Sequence, residues 1–326
     1  MTNIRWGILS TADIGMTKVT PAIQAARNAE VVAIASRDAD RAASAATRLG
    51  IPTSHGSYES LLEADDVDAI YIPLPNDLHA EWTMKAAVAG KHVLCEKPLA
   101  MTSQQAEEMV AACAEAGVIL AEAFMYRHHP TWVEAVQLVR SGRIGELEAV
   151  QSFFSYYNDD PANIRNRAGN GGGALMDVGC YNINLSRMLF DSEPVGIRSA
   201  VRRDPVMGID TLTSAVLEFP GGGQAAFTCG IRSEPDQRVH VVGSRGRIEI
   251  DIPFNIPWDR ETRIFVTSGG EPPVAPATET LTFPAANAYT IEAELFGEAI
   301  LTGGAYPVGP EDAIANMRVI DAILGG

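Results

Sequence analysis

Residues 6–15 read WGILSTADIG. A short apolar run, a tight turn and the start of a helix follow one another there, which is where a dinucleotide-binding fold keeps its G-x-G-x-x-G loop. The three glycines of that loop allow a tight turn, close approach of backbone to pyrophosphate, and close packing of helix on strand. Here Ser10, Ala12 and Gly15 stand in the three glycine positions. Ser and Ala are the next-smallest residues, so close approach survives in part. Backbone N–H groups at the helix start can still face a phosphate. Taken alone, the stretch fits a nucleotide site or a plain strand–helix turn with small residues for packing.

Outward from this loop the chain alternates. Strand-like runs at Ile4–Leu9, Val31–Ser36, Ala69–Pro73, His92–Cys95 and Val118–Glu122 are separated by helical patterns at Gly15–Ala26, Ala39–Leu49, Asp77–Ala89 and Ser103–Ala116. Such alternation indicates βαβ units, a parallel sheet and right-handed crossovers, hence a doubly wound domain over residues 1–123. The pattern then changes. A helix near Pro130–Ser141 leads into β-rich stretches at Glu148–Tyr157, Val195–Arg203, Thr211–Phe219, Gln224–Ile231, Arg238–Val242 and Arg247–Asp251, divided by turn signals such as PGGG and GSRG. This spacing predicts a mainly antiparallel sheet in a second domain, 124–326. A helix-like segment, GGGALMDVGCYNINLSRMLF, interrupts it, and helices at Tyr289–Leu301 and Glu311–Leu324 close the chain, the last returning to the first domain. The segment SGGEPPVAPATET (268–280) reads as a surface loop.

The 326 residues suffice for two cores, and 46% apolar with 20% charged residues is ordinary for a soluble enzyme. No apolar run approaches the roughly 18–20 residues of a membrane span, and no signal peptide is visible. The net charge of −16 argues against nucleic acid or an anionic membrane as partner. Four cysteines, Cys95, Cys113, Cys180 and Cys229, form no C-x-x-C pair. They read as core residues in a reducing, cytoplasmic compartment, with no metal site expected.

At the end of the second strand, AIASRDADR offers Ser36 and Arg37, with Arg41 one helical turn on. An NAD site usually has an acidic residue at this point for the ribose 2′-hydroxyl. A hydroxyl and two guanidiniums suit a 2′-phosphate instead, so NADP is favoured. Asp38 keeps NAD possible, and a surface arginine pair beside Asp38 and Asp40 is the alternative. Farther on, KHVLCEKPLAMT places Glu96 and Lys97 after a parallel strand, facing the ligand crevice. Pro98 stiffens the turn and is able to take a cis bond. On its own, a lysine after a strand is more often a solvated loop residue.

Three stretches together change that weighing. CEKPLA, IPLPNDLHAEW before it and GGGALMDVGCYNINLSR after it occur in an order that resembles the glucose–fructose oxidoreductase / inositol dehydrogenase (Gfo/Idh/MocA) family over essentially the whole chain. Tyr181, where many members have His, and AFMYRHHPTW resemble the branch of NADP-dependent aldose (xylose-type) 1-dehydrogenases, dimeric dihydrodiol dehydrogenases and glucose–fructose oxidoreductase. The resemblance implies a Rossmann domain followed by an α/β domain with a large open antiparallel sheet, through which chains pair as homodimers or homotetramers. It implies a cofactor lying along Gly7, Ser10, Thr11, Ala12, Asp13 and Ile14, with Leu74, Pro75, Asn76 and His79 near the nicotinamide half and Glu96 and Lys97 beside it.

The chemistry expected is hydride transfer with loss of a hydroxyl proton, on a small sugar or polyol. By resemblance Tyr181 is the base. A free phenol has pKa about 10, and a nearby ammonium such as Lys97 favours the phenolate. Lys97 would also hydrogen-bond the reacting oxygen. Asp177 lies four residues before Tyr181, so both project from one helix face; it could hold substrate hydroxyls or position Lys97. Read without the family, Tyr181 is a core residue and Asp177 a first-turn carboxylate. Asn76 can cap the helix beginning at Asp77, and His79 is a secondary candidate for the base. Arg127, Asn163 and Arg165 are candidate substrate contacts, Arg167 a further one; a solvated loop is the alternative. His128 and His129 lack zinc-type spacing. The leading expectation is an aldose 1-dehydrogenase. Rivals are a dihydrodiol dehydrogenase or dicarbonyl-sugar reductase, and a non-catalytic NADP-binding regulator.

Overall fold

The computed structural model describes residues 3–269 and 277–325. The chain divides into two compact units, Met1–Met125 with Tyr289–Met317, and Tyr126–Ala288 with Arg318–Gly326.

In the first unit, strands β1 (Ile4–Ile8), β2 (Ala29–Ala35), β3 (Thr53–His55), β4 (Ala69–Ile72), β5 (His92–Glu96) and β6 (Leu120–Ala123) form a parallel sheet in the order β3-β2-β1-β4-β5-β6. Between them run α1 (Thr20–Gln24), α2 (Ala39–Leu49), α3 (Tyr58–Leu62), α4 (Asn76–Val88) and α5 (Ser103–Ala116). Helices on both faces explain why β4, AIYI, is buried at every residue. Helix ends carry local signals: Asp38 caps α2 and Thr102 caps α5, while Gly50 and Gly117 end them in the left-handed conformation. Strand order reverses between β1 and β4, the switch point beyond which such sheets bind ligands.

The first helical pattern opens as a π-helical turn, Gly15–Val19, before becoming α1. Edge strand β3 and helix α3 escaped the sequence reading, because three polar residues and five helical ones are too short to declare a period. Pro75, not Asn76, occupies the N-cap position of α4, and no side chain caps that end. The helix at Ala288–Thr302 contributes Ala293, Phe296 and Ala299 to the same core as Trp6 and Ile8. Phe296 lies 5.4 Å from Trp6 and 5.8 Å from Tyr306, ring centre to centre. Burying one such ring contributes about 1.5–3 kcal/mol.

In the second unit, α6 (Pro130–Arg140), β7 (Leu147–Tyr157) and α7 (Cys180–Phe190) precede β8 (Gly196–Arg203), β9 (Asp210–Glu218), β10 (Gln224–Gly230), β11 (Arg232–Gly243), β12 (Gly246–Ile250), β13 (Thr262–Ser268) and β14 (Ala277–Phe283). The eight-stranded sheet has the order β14-β13-β12-β11-β7-β10-β9-β8. Its strand pairs are antiparallel except β7 with β10. Buried along nearly its whole length, α7 packs on β7 and β10. Two of its polar side chains bond outward: Asn182 Nδ2 donates to Ser152 Oγ at 2.7 Å, and Asn184 Oδ1 accepts from the Tyr126 hydroxyl at 2.6 Å. The run expected at Arg238–Val242 is the end of a longer strand, β11. The loop expected at 268–280 is partly strand: Ser268 ends β13 and Ala277 opens β14, while 270–276 lie outside the described residues. Helices α8 (Ala288–Thr302) and α9 (Glu311–Leu324) close the chain.

Candidate active site

The opening loop lies at the β1/β4 switch point. Ser10 is buried; its hydroxyl donates to Pro73 O at 3.2 Å and accepts from Ala12 N–H at 3.1 Å. Leu9 N–H donates to Tyr71 O at 2.9 Å. A Cβ on Gly15 would stand 3.3 Å from Pro73 Cγ, so this residue does what the third glycine of a dinucleotide loop does, letting helix meet strand end. Gly7 has a packing reason inside β1, since a Cβ there would come within 2.9 Å of Ile70 Cδ1. Thr11, Ala12 and Ile14 are half-buried and Asp13 is exposed. Small residues and a helix start beyond the strand ends fit a bound dinucleotide.

At the end of β2, Ser36 is buried and its hydroxyl accepts from Asp38 N–H at 3.2 Å. Asp38 Oδ1 accepts from Asp40 N–H at 3.0 Å and Arg41 N–H at 3.1 Å. One oxygen of its carboxylate, Oδ1, thus caps the helix. Arg37 and Arg41 are exposed beside it. Burial raises the pKa of the Tyr58 hydroxyl, opposed by the Arg37 charge, by a hydrogen bond from Arg37, and by Arg41. Tyr58 itself packs edge-on against Trp82, centroids 4.9 Å apart. A guanidinium held this way, next to a hydroxyl, fits a 2′-phosphate.

After β5, Lys97 is half-buried and its peptide bond to Pro98 is cis. Tyr71 donates to Glu96 Oε1 at 2.6 Å, and Lys97 N–H donates to Glu96 Oε2 at 3.3 Å. His79 is fully buried, with Nδ1 3.0 Å from Pro98 O and Nε2 2.8 Å from Leu74 O. Both ring nitrogens therefore face main-chain carbonyls, which ties the Leu74–Pro75 turn to the Lys97–Pro98 turn. Burial pulls the His79 pKa down, against the pull of those carbonyls. The imidazole acts as a brace, and neither nitrogen is turned to a substrate. Behind Glu96 lies Glu292, fully buried, whose carboxyl is pushed well above its usual range by desolvation and then by Glu96.

In the second unit, Asp177 sits in a π-helical turn, Leu175–Gly179, and Tyr181 follows in α7. Asp177 Oδ2 accepts from Arg165 Nε at 3.0 Å and from the Tyr156 hydroxyl. Desolvation, then the Asp177 charge, pushes the Tyr156 pKa up, so this phenol stays protonated as the donor. The structure thus unites Asp177 with Arg165, but through a partner, Tyr156, that the sequence reading missed; its signal was a tyrosine ending a long strand just before a polar loop. Tyr181 is 6% exposed, ringed by Tyr126, Phe154 and Phe254 at centroid distances of 5.6, 5.6 and 5.5 Å. Asn163 spends its side chain on the local backbone, accepting from Arg165 N–H at 3.0 Å. Arg127 is half-buried beside His128, whose pKa burial pulls down to about 4. Lys97 belongs to one unit and Tyr181 to the other. Among the described residues, no three His, Cys, Asp or Glu side chains gather as metal ligands.

Residues 4–124 match the model of an oxidoreductase family with an NAD-binding Rossmann fold, and residues 132–249 match the GFO/IDH/MocA C-terminal domain. The chain belongs to the GFO/IDH/MocA oxidoreductase family. As a member it is an NAD(P)-dependent oxidoreductase. A D-xylose 1-dehydrogenase (NADP(+)) from Haloferax volcanii is 41% identical to this GFO/IDH/MocA chain over 98% of it and 95% of the relative. A 3-ketoreductase from Actinomadura kijaniata, solved with NADP and TDP-benzene, superposes with a TM-score of 0.91 at 34% identity, covering 100% of this chain and 98% of that one. An aldose–aldose oxidoreductase from Caulobacter crescentus, complexed with glycerol, gives a TM-score of 0.90 at 29% identity, over 99% and 97%.

Proposed function

We propose that this protein is an NADP-dependent oxidoreductase acting on a carbinol of an aldose-like sugar, an aldose 1-dehydrogenase that forms the lactone. The observation that carries the reading is Asp177. This carboxylate has a side chain only 13% exposed, is held by Arg165 and Tyr156, and stands one helical turn before Tyr181. A bound nicotinamide dinucleotide supplies the hydride acceptor. Tyr181 takes the hydroxyl proton as general base, and Lys97 donates a hydrogen bond to the reacting oxygen. Asp177 accepts from neighbouring sugar hydroxyls, its own orientation fixed by Tyr156. Rings around Tyr181 exclude water from the phenol. Cofactor binding is assigned to 1–123 and to Gly7, Ser10–Ile14, Ser36, Arg37, Arg41, Leu74–Asn76, His79, Glu96 and Lys97; substrate binding to 124–326 with Arg127, Asn163, Arg165, Asp177 and Tyr181.

Screening pentoses, hexoses and diols with NADP⁺, followed by absorbance of the reduced cofactor, tests this. Turnover of xylose or glucose supports it; no turnover with any aldose defeats it. The likeness to the 3-ketoreductase favours a second reading, reduction of a ketosugar, which assay in the reverse direction with NADPH separates. Tyr181→Phe should bind NADP normally and lose about 10²–10⁴-fold in kcat, as removal of a general base does. A regulator with no catalytic role would show no such loss.

Association of two or four copies through the eight-stranded sheet is part of the proposal. One face of that sheet carries a shallow hollow of about 570 Å³ with Phe153, Val216 and Ala226 among its lining. Light scattering of Val216→Glu, expected to run as a monomer, tests it. Four free, buried cysteines support a reducing cytoplasm, and among the described residues no helix is long and apolar enough to cross a membrane.

A further inference from the structure

The turn that carries Asp177 is held from outside its own segment. Asp210 opens β9 and is 2% exposed. Its Oδ2 accepts from Leu175 N–H at 2.8 Å and from the Thr213 hydroxyl at 2.7 Å. Leu175 starts the π-helical turn, whose N-cap position, Ala174, offers no side-chain cap. A carboxylate 35 residues farther along the chain takes that place. Gly173 makes room for it. Its φ is +120°, and a Cβ there would fall 2.1 Å from Asp210 Oδ1. Any side chain at Gly173 would push the carboxylate away from Leu175.

The far end of the turn is pinned as well. A Cβ on Gly179 would lie 2.7 Å from Cys229 Sγ on β10, so helix and strand are in close contact there. Between these two points the N–H of Cys180 reaches Leu175 O, the i→i+5 bond of a π turn. An α-helix would give that carbonyl to residue 179. The wider turn sets the angle between Asp177 and Tyr181, and such turns recur at functional sites. Burial raises the Asp210 pKa, while its bonds to Thr213 and Leu175 lower it, so both donors favour the ionised cap.

We infer that Asp210 is a positioning residue for the reaction: by holding Leu175 and the π turn it fixes the direction of Asp177 relative to Tyr181. The inference rests on the reading that Asp177 and Tyr181 act on the substrate. A cap that served stability alone would be felt in melting and in the amount of folded protein. A positioning cap is felt in turnover per folded molecule. Misplacing a reacting group by about 1 Å costs roughly a hundredfold.

The experiment measures kcat, sugar KM, NADP Kd and melting temperature for Asp210→Ala, Asp210→Asn, Thr213→Val and Tyr181→Phe in the full chain. Asp210→Ala should lose about a hundredfold in kcat/KM per NADP-binding molecule, with NADP Kd within about twofold. Asp210→Asn, which keeps an oxygen for Leu175 N–H, should recover most of that loss. Thr213→Val, which leaves the Leu175 bond, should lose severalfold. Wild-type kcat/KM in folded Asp210→Ala overturns the inference. If that variant does not fold, Thr213→Val decides, and wild-type turnover there overturns it. Full turnover in Tyr181→Phe sinks the underlying reading and this inference with it. Lost turnover in Tyr181→Phe alone sinks only the role of Asp210.

Discussion

Replacing Arg37 by Ala should convert a cofactor preference into indifference. Asp38, the residue placed to hold a ribose 2′-hydroxyl, gives its Oδ1 to two backbone N–H groups of α2 at 3.0 and 3.1 Å. Arg37 stands next to it, its charge felt by Tyr58, which is 5% exposed and packs edge-on against Trp82. A charge-assisted hydrogen bond from a guanidinium is worth about 1.5–3 kcal/mol, which is about 10- to 150-fold in Kd. Because Arg37 is exposed, solvent and salt screen the pair and place the expectation at the lower end, about 10- to 30-fold. NAD, lacking the phosphate, should change less than about twofold. Titration calorimetry with each cofactor at low and at physiological salt measures both constants, and the NADP difference should shrink with salt. Equal weakening of NAD and NADP by Arg37→Ala would refute the assignment of β2's end to the 2′-phosphate.

Two buried groups give pH dependences of opposite sign. Desolvation raises the Glu292 pKa in the folded chain, and its Oε1 has no hydrogen-bond partner among the described residues. The folded state therefore holds a proton that the unfolded state releases, and stability falls as pH rises above the ordinary carboxyl range toward that raised value. Melting curves of Glu292→Gln should show a gain over the parent at pH 8 that vanishes near pH 4; a gain independent of pH would count against it. His129 is fully buried and its pKa is pulled down to about 4 from 6.5 by desolvation. Stability from its neutral ring is complete above pH 6.5 and is lost as pH falls to about 4, a total of about 3 kcal/mol. His129→Asn keeps an acceptor for Thr131 N–H, which His129 now caps at 3.3 Å, and should flatten that acid limb. An unchanged limb would assign it to other groups.

What the sequence revealed and what it hid follow from the range of each interaction. The β1 loop and the alternation of strand with helix are set by residues close in the chain, so a local reading finds them. The caps Asp38 of α2 and Thr102 of α5, equally local, were not read, and the one cap expected, Asn76, is not made. Gly15 was legible as the third glycine because its role, meeting the end of β4, is shared by every loop of that shape. Strand β14 was not, since at the sheet edge ATETLTF is mostly exposed and shows no sustained apolar alternation. Strand β13, inside the sheet, was missed although Thr262, Ile264 and Val266 are buried in alternation with Arg263 and Phe265. The acid cluster at Glu96 and Glu292 joins residues that no spacing relates.

The same range argument governs the chemistry. Tyr181 was singled out by the family resemblance and Asp177 by standing four residues before it, but what holds Asp177 comes from elsewhere. Arg165 is 12 residues back, Tyr156 is 21 back, and the Asp210 that pins the turn's first N–H is 35 residues beyond Leu175. Those partners lie on a strand end, a loop and a neighbouring strand, and only the sheet brings them to one turn of helix. On the proposed reading, the motif names the groups that react, while their orientation is a property of the packed sheet. A substitution at Tyr156 or Asp210 should therefore damage turnover although neither residue belongs to any of the three recognisable stretches.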